Sequence, residues 1–269
     1  MKRSLWRVMA VAMALVAIAA MSSCSGGGGG SGGKLICGIT EYKPMNYREN
    51  NVWTGFDTEF AQLVGQKLGM EVEFQLIDWD RKFDELNSGA ITCIWNGLTA
   101  NSDEDGTPRA ELADMTYSYM LNQQCVVVLA DRIGELSTKD ALSGKNIAVE
   151  ASSAGEGEAK KLTAEDKIIK LSTQMSAFVE VKSGASDCAI VDILLAQQIA
   201  GTGDYADLAI ARAVQLDAEV YAVGFKKGSD LTAKVNKAMK ELDEAGTLAT
   251  LAEKYKLQNS YLLDTSFGK

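Results

Sequence analysis

The chain has 269 residues, of which 46% are hydrophobic and 23% are charged, and these fractions exclude a disordered, collagen-like or multi-span membrane protein. With 27 Lys and Arg against 36 Asp and Glu, the net charge of −9 argues against nucleic acid as a partner, because phosphate binding requires clustered positive charge. The sequence has no histidine, which excludes Ser-His and Cys-His catalytic couples, HExxH zinc sites and a histidine general base.

The N-terminal segment has the pattern of an export signal. A basic start precedes an apolar run over residues 8–21, which is too short to span a bilayer comfortably. Small residues then precede Cys24, as in the lipobox of bacterial lipoproteins; ordinary secretory cleavage with an incidental Cys24 is the alternative. Residues 25–33 contain only Gly and Ser and predict a flexible coil. We therefore expect a lipoprotein signal over residues 1–23, acylation of Cys24, and a tether over residues 24–33.

Strand-like and helix-like runs alternate after the tether. Strand, helix, strand, helix and strand follow in turn over residues 35–39, 55–68, 72–76, 80–88 and 91–95. This order predicts a mostly parallel sheet flanked by helices.

A second set follows the first. Strands are predicted over residues 126–129, 147–149, 168–171, 188–191 and 221–225. Helices are predicted over residues 155–161, 173–182, 192–200, 229–245 and 247–255. Gly246 separates the last two helices, and Thr247 is expected to cap the second. The predicted class is α/β, and the length suits two lobes better than one core.

Four cysteines remain after the signal, each in an apolar, strand-like run: Cys37, Cys93, Cys125 and Cys188. They form no CxxC motif and are expected to be buried thiols that behave as small hydrophobic residues. Export would permit one disulfide, but the spacing does not select a pair.

Five short motifs occur in a fixed order along the chain. They lie at residues 55–59 (GFDTE), 80–89, 142–149 (LSGKNIAV), 183–192 and 223–254. Each resembles a motif of the bacterial amino-acid-binding proteins called family 3 solute-binding proteins, which are components of ABC importers. The resemblance covers nearly all of residues 34–258, and the ordered set is more specific than any single motif.

The resemblance implies a two-lobed α/β fold of the periplasmic-binding-protein type (type 2), with a hinge of two crossing strands. The crossings are expected near residues 124–128 and 217–222. Lobe 1 is then discontinuous, over residues 34–125 and 221–269, and lobe 2 spans residues 126–220.

Asp192 is the predicted partner of a ligand ammonium group. It follows the buried strand at residues 188–191, and the carboxyl ends of strands form the ligand crevice in open α/β sheets. A free amino acid is a zwitterion, and burying either of its charges unpaired costs several kcal/mol. The resemblance assigns Asp192 to the ammonium group; the alternative is that Asp192 only caps the following helix.

Arg109 is the candidate partner of the ligand carboxylate, because a guanidinium group offers two parallel donors. In the family, the equivalent arginine follows the strand end after a few residues, whereas here extra sequence separates Thr99 from Arg109. A solvated loop arginine is therefore the alternative. Ser152 and Ser153, which precede a helix of lobe 2, are expected to supply hydroxyl and N–H donors.

Further cleft residues are implied by the resemblance. Asn96, Gly97 and Thr99 lie at a strand end where the family lines its cleft. Tyr42 and Trp79 match the family's two aromatic walls; packing between the lobes is their alternative role.

Three polar residues have less definite expected roles. Glu41, beside Tyr42, is expected to contact a polar ligand side chain. Asn122 and Gln124 lie at the first crossing, where they either touch the ligand or hydrogen-bond within the hinge.

The extra sequence before Arg109 partly matches a calcium-binding loop. Asn101, Asp103 and Asp105 fit the first half of an EF-hand, but Leu112 occupies the position that requires glutamate. A solvated acidic loop is the favoured interpretation, and no metal or cofactor is predicted.

The predicted function is that of a lipid-anchored, extracytoplasmic amino-acid-binding component of an ABC importer. The expected partners are a free, polar amino acid, the importer's membrane permease subunits, and the membrane through the lipid anchor. The protein is expected to be a monomer, to bind no nucleic acid and to catalyse no reaction.

Three alternatives remain at this point. One is an exported dehydratase-like enzyme on the same scaffold, which would use Glu41, Glu150 or Asp192 as its acid or base. The others are a ligand-sensing lipoprotein and a purely structural surface lipoprotein.

Overall fold

The computed structural model describes residues 33–267. The predicted signal, the acylated Cys24 and the tether up to residue 32 lie outside the described residues. The strands are β1 Lys34–Ile39, β2 Tyr47–Glu49, β3 Val52–Thr54, β4 Glu71–Leu76, β5 Cys93–Thr99, β6 Asp103–Glu104, β7 Thr107–Pro108, β8 Asp114–Met115, β9 Ser118–Leu129, β10 Ile147–Glu150, β11 Ile168–Leu171, β12 Cys188–Asp192, β13 Leu208–Ile210, β14 Ala218–Phe225 and β15 Tyr261–Asp264. The helices are α1 Phe56–Leu68, α2 Lys82–Ser88, α3 Arg109–Leu112, α4 Ala154–Leu162, α5 Gln174–Ser183, α6 Ile193–Ile199, α7 Leu231–Glu244 and α8 Thr247–Lys254.

The main strands follow the order β11-β10-β12-β9-β14-β5-β1-β4. At one end, β1 pairs in parallel with β4 and β5, and at the other end β10 pairs in parallel with β11 and β12. The central strands β9 and β14 are antiparallel to each other. The fold is therefore a two-lobed α/β architecture with a parallel set of strands in each lobe.

Strand β9 belongs to both halves of this arrangement. Gln123 pairs with Ala218 of β14, whereas the next residue, Gln124, pairs with Asp192 of β12. One continuous strand thus connects the two parallel sets, and the change of partner falls between two neighbouring glutamines. The sequence pattern predicted only the apolar end of this strand, because polar residues interrupt its first half.

Helix α1 shows how local sequence builds the first lobe. Asp57 and Glu59 lie in its first turn, where the helix dipole favours negative charge, and Gly69 ends it in the left-handed conformation with φ 65°. Its buried face packs aromatic rings against the sheet, with the Phe60 ring edge-on to Trp95 at 5.2 Å. This packing fixes the position of β5, which carries several of the predicted cleft residues.

The predicted helix boundaries hold to within a few residues, with two differences. A 3₁₀ turn, Trp79–Arg81, precedes α2. Thr247 is the first residue of α8 rather than its cap, because Gly246 takes the N-cap position with φ 72°. Among residues 33–267, no helix is both long enough and apolar enough to cross a membrane.

The four cysteines in the described chain are buried free thiols. Cys37 of β1 is the register partner of Cys93 of β5, and their sulfur atoms are 3.7 Å apart. Burial raises the pKa of the Cys93 thiol, which favours an inert, protonated group.

Candidate ligand-binding site

A small cavity lies where the carboxyl ends of the two parallel sets of strands face each other. Its lining residues are Tyr42, Trp79, Asn96, Gly97, Thr99, Arg109, Gln124, Glu150, Ser153, Ala154, Gln174 and Asp192. Eight of the ten residues predicted to bind ligand are in this set, and the exceptions are Glu41 and Ser152. The order of strands therefore places residues from distant parts of the sequence around one space.

Asp192 ends β12 and is only 6% exposed. Its Oδ1 accepts hydrogen bonds from Asn122 Nδ2 at 2.6 Å, Gln124 Nε2 at 2.8 Å and the Tyr221 hydroxyl at 2.9 Å. Its Oδ2 accepts from Gln174 Nε2. The side chain makes no cap hydrogen bond to α6, so the capping alternative is wrong. Burial raises the pKa of Asp192.

Glu219 shares two of the Asp192 donors. Its Oε2 accepts from Asn122 Nδ2 at 2.7 Å, from Gln124 Nε2 at 3.1 Å and from the Thr99 hydroxyl at 3.1 Å. Burial and the nearby Asp192 carboxylate raise the pKa of Glu219 to about 7. Asn122 and Gln124 therefore hydrogen-bond two buried carboxyl groups beside the point where β9 changes partner.

Glu150 is a third buried carboxyl group, 5% exposed, at the end of β10. Burial and the Asp192 carboxylate raise its pKa to about 8, against the opposing effects of Lys82, the Gln174 backbone N–H and Arg109. The motifs assigned it no binding role. Its position at the carboxyl end of a buried parallel strand is the signal that could have identified it, as it did Asp192.

Arg109 reaches the cavity despite the extra sequence and is 1% exposed, so the solvated-loop alternative is wrong. Its Nη1 donates to the Thr99 carbonyl at 3.1 Å, and its Nη2 donates to the Ser152 carbonyl at 2.9 Å. Its Nε donates to Glu104 Oε2 at 3.0 Å. The carboxylate that Arg109 holds in this structure is therefore one from the protein itself.

Lys82 makes contacts similar to those of Arg109, and the motifs did not indicate them. Its Nζ lies 2.6 Å from Glu104 Oε1 and donates to the Ser152 carbonyl at 2.9 Å and to the Trp79 carbonyl at 3.2 Å. Burial and the neighbouring Arg109 lower the pKa of Lys82 to about 8. Lys82 and Arg109, two buried cations of the first lobe, thus share two partners. One is the Glu104 carboxylate, and the other is the Ser152 carbonyl of the second lobe.

The extra sequence forms a small hairpin from β6 and β7. Asp105 and Gly106 make its turn with φ of 46° and 80°. Asn101 hydrogen-bonds the carbonyl of Ala218 and the N–H of Val220, and Asp105 lies 3.6 Å from Lys160. These side chains are used in contacts within the protein. Within residues 33–267, no group of three or more acidic or cysteine side chains is placed to hold a metal ion.

The two serines of lobe 2 immediately precede α4. Ser152 has φ 56°, its N–H donates to Glu156 Oε2 at 2.7 Å, and its carbonyl faces Lys82 and Arg109. Ser153 lines the cavity, but its hydroxyl caps α4 by accepting from the Glu156 N–H at 3.1 Å. The start of α4 therefore uses the Ser152 N–H as a donor and the Ser153 hydroxyl oxygen as an acceptor.

The two predicted aromatic walls both line the cavity. The Tyr42 hydroxyl lies 2.6 Å from that of Tyr221, and Trp79 is buried with Lys82 Nζ 5.0 Å from its ring centre. Glu41, in contrast, is exposed and lies 3.8 Å from Arg48. Glu41 does not line the cavity.

A wider, open depression adjoins the cavity, and Ser153 and Ala154 line both. The hairpin, the start of α4 and the beginning of β14 form its other walls. It therefore lies between the two lobes at their outer edge, next to Glu104 and Glu219.

Two lobes, a shared strand and an enclosed polar cavity at facing strand ends define the class of two-lobed solute-binding proteins. Comparison with known proteins identifies the family within this class. The profile of the bacterial extracellular solute-binding proteins, family 3, matches residues 35–258, and the chain belongs to that family.

Two relatives in Bacillus subtilis illustrate the relationship. The arginine-binding extracellular protein ArtP is 30% identical over 225 residues, covering 82% of this chain and 86% of ArtP. The probable amino-acid-binding protein YxeM is 32% identical over 265 residues, covering 95% of this chain and 96% of YxeM. Among solved structures, a histidine-bound substrate-binding protein of an ABC uptake transporter from Streptococcus pneumoniae is 28% identical with a TM-score of 0.74. That match covers 82% of this chain and 92% of the other.

Proposed function

We propose that this protein captures a free amino acid between its two lobes and delivers it to an ABC importer. The observation that carries the proposal is the pairing of opposite charges around one cavity. Asp192 of the second lobe is buried at the end of β12, and Arg109 and Lys82 of the first lobe are buried at the starts of α3 and α2. A zwitterion needs both partners, since burying either of its charges alone is costly.

In this proposal, the ligand ammonium group hydrogen-bonds Asp192 and replaces one or more of its amide donors. The ligand carboxylate is held by Arg109 and Lys82. Tyr42 and Trp79 contact the ligand side chain, and Asn96, Gly97, Thr99, Ser152 and Ser153 complete the site. The relatives named for binding arginine and other amino acids support this class of ligand.

Binding would couple to closure of the two lobes. We assign lobe 1 to residues 34–125 and 221–269 and lobe 2 to residues 126–220, because β9 changes its pairing partner between Gln123 and Gln124. Contacts that exist only in the closed state would make the ligand stabilise that state, and the importer would recognise it.

Cys24 would be acylated, so that the tether over residues 24–33 links the folded domain to the outer surface of the membrane. The protein would act as a monomer with the permease subunits as its partners. No covalent step is proposed, because the relatives are named as binding proteins and Asp192 and Glu219 are hydrogen-bonded within the hinge.

The test is titration calorimetry with a panel of amino acids on the protein and on its Asp192→Ala variant. The substitution should weaken binding of the best ligand by on the order of 3 kcal/mol, roughly a hundredfold or more, because the ammonium group would lose its counter-charge. Asp131→Ala, at an exposed position of the second lobe, is the matched control and should bind as the parent does.

Because Asp192 is central to the hinge, Asp192→Asn provides a second variant that keeps the shape of the side chain. Thermal melts of each variant establish that it folds. Unchanged affinity in both would remove Asp192 from the site. A panel in which no amino acid raises the melting temperature of the parent would favour a structural role and refute the proposal.

A further inference from the structure

The buried charges of the cavity do not balance. Within the described chain, Lys82 and Arg109 both form ion pairs with Glu104, whereas no lysine or arginine lies within ion-pair distance of Glu150, Asp192 or Glu219. Three buried carboxyl groups therefore surround the junction of the lobes with no cation of their own. One ligand ammonium group, placed at Asp192 by the proposed function, compensates only one of them.

Glu219 and Glu150 differ in the number of hydrogen bonds that the protein donates to their carboxyl groups. Glu219 accepts three hydrogen bonds, from Thr99, Asn122 and Gln124, and is therefore held within the hinge. The carboxyl group of Glu150 has only the Gln174 backbone N–H as an assigned donor, and no side chain of the described residues hydrogen-bonds it. Glu150 also lines the cavity, which Glu219 does not.

An almost fully buried glutamate that faces a cavity without an ion pair indicates a positive group on the ligand. Burial disfavours the ionised carboxyl group by several kcal/mol, and an ion pair with a bound cation removes much of that cost. With a neutral ligand side chain, the carboxyl group avoids this cost only by staying protonated. Trp79, which lines the same cavity, offers a ring face that attracts a cation as well.

We propose that Glu150 is the specificity-determining residue of this site and that the ligand is an amino acid with a positively charged side chain. The ligand ammonium group pairs with Asp192 and the side-chain cation pairs with Glu150. This assignment rests on the proposed amino-acid-binding function and adds the class of amino acid to it. The ligand side chain is then recognised by a buried carboxyl group of the second lobe and not by Glu41, which lies on the surface.

The experiment compares two pairs of similarly shaped ligands on the parent and two variants. L-arginine and L-citrulline differ mainly in the charge at the end of the side chain, and L-norleucine is L-lysine without its terminal ammonium group. Binding of all four is measured by calorimetry at pH 7.5 to the parent, to Glu150→Gln and to Glu41→Gln. The last variant removes an exposed carboxylate of the neighbouring segment and is the matched control.

We expect the parent to bind the charged member of at least one pair more tightly. Glu150→Gln should weaken that ligand by about tenfold or more and change the neutral member by less than about threefold. Glu41→Gln should leave all four affinities unchanged. Thermal melts of both variants establish that they fold as the parent does.

Two results would overturn the inference while the proposed function stands: tightest binding of a neutral amino acid, or equal weakening of charged and neutral ligands by Glu150→Gln. Failure of the parent to bind any of the four ligands, while another amino acid binds, would also overturn it. Failure to bind any amino acid would refute the proposed function, and this assignment with it.

Discussion

At the level of single residues, Gly97 links backbone conformation to the shape of the cavity. Its φ is +56°, its N–H donates to Asp57 Oδ2 at 2.8 Å, and it lies between two tyrosine rings. A Cβ atom there would lie 2.5 Å from the ring of Tyr42 and 3.0 Å from that of Tyr221. Any larger residue therefore moves an aromatic wall.

Gly97→Ala should weaken amino-acid binding by about tenfold or more and lower the free energy of unfolding by about 1–3 kcal/mol. The affinity falls because Tyr42 must leave its position, and the stability falls because of backbone strain and crowding. Calorimetry and urea denaturation measure the two effects. Gly89→Ala is the control, since Gly89 has φ +81° but open space around it. It should lose stability from strain alone and bind normally, and equal affinities of the two variants would contradict the argument.

The residues of the site were predictable to different degrees. Asp192, Asn96 and Thr99 follow from the rule that functional side chains lie at the carboxyl ends of strands. The same rule indicates Glu150 and Gln174, although no motif assigned them. Lys82 and Glu104 could not be predicted, because their pairing depends on the fold of a hairpin that the motifs do not describe.

At the level of elements, the β6–β7 hairpin supplies the only carboxylate that pairs with Lys82 or Arg109 in the described residues. Glu104 comes from this hairpin, while both cations also donate to the Ser152 carbonyl of the second lobe. The hairpin therefore holds the two cations in place when no ligand is bound. A ligand carboxylate has to share or replace Glu104.

Glu104→Gln should lower the stability of the ligand-free protein by about 1–3 kcal/mol, because two buried cations lose their counter-charge. It should also increase the rise in melting temperature that a bound amino acid produces, since the ligand carboxylate then supplies the missing charge. Asp103→Asn, an exposed position on the same hairpin, is the control and should leave both quantities unchanged. An equal or smaller ligand-induced rise in Glu104→Gln would show that Glu104 does not compete with the ligand.

The elements themselves were largely predictable, because apolar periodicity marks the buried faces of helices such as α1 and α7. The exceptions have physical reasons. Polar residues over 122–124 interrupt the apolar pattern of β9, because Asn122 and Gln124 hydrogen-bond buried carboxyl groups. The short strands β6 and β7 depend on a turn rather than on a buried face.

At the level of the whole molecule, the raised pKa values give stability a definite dependence on pH. Burial raises the pKa of Asp57 to about 7, of Glu219 to about 7 and of Glu150 to about 8, from ordinary values of 3.8, 4.5 and 4.5. Between the ordinary and raised values, the folded state binds more protons than the unfolded state. Stability therefore falls as the pH rises through this range.

The other groups either contribute little between pH 5 and pH 7.5 or change stability in the same direction. The sequence has no histidine to titrate there. Burial opposes ionisation of Glu156, but hydrogen bonds from Lys160, Lys170 and the Ser152 N–H lower its pKa to about 2, so it stays ionised. Of the groups that face Glu150, Arg109 and Lys82 are basic, and Lys82 titrates only near pH 8. Asp192 is the third group that faces Glu150. Burial raises its pKa as well, so its titration changes the stability in the same direction as that of Glu150.

The ligand-free protein should therefore melt roughly 5 °C lower at pH 7.5 than at pH 5. The rise in melting temperature caused by a cationic amino acid should be larger at pH 7.5, because ionising the carboxyl groups that pair with the bound positive groups costs less free energy there than at pH 5. Calorimetric scans at intermediate pH values, with and without arginine, measure both trends. A variant with Glu150→Gln and Glu219→Gln is the control, and its melting temperature should depend less steeply on pH. An increase in the stability of the parent from pH 5 to pH 7.5 would mean that the carboxyl groups at the junction of the lobes are already ionised at pH 5. It would contradict the view that these groups lack a positive partner until a ligand binds.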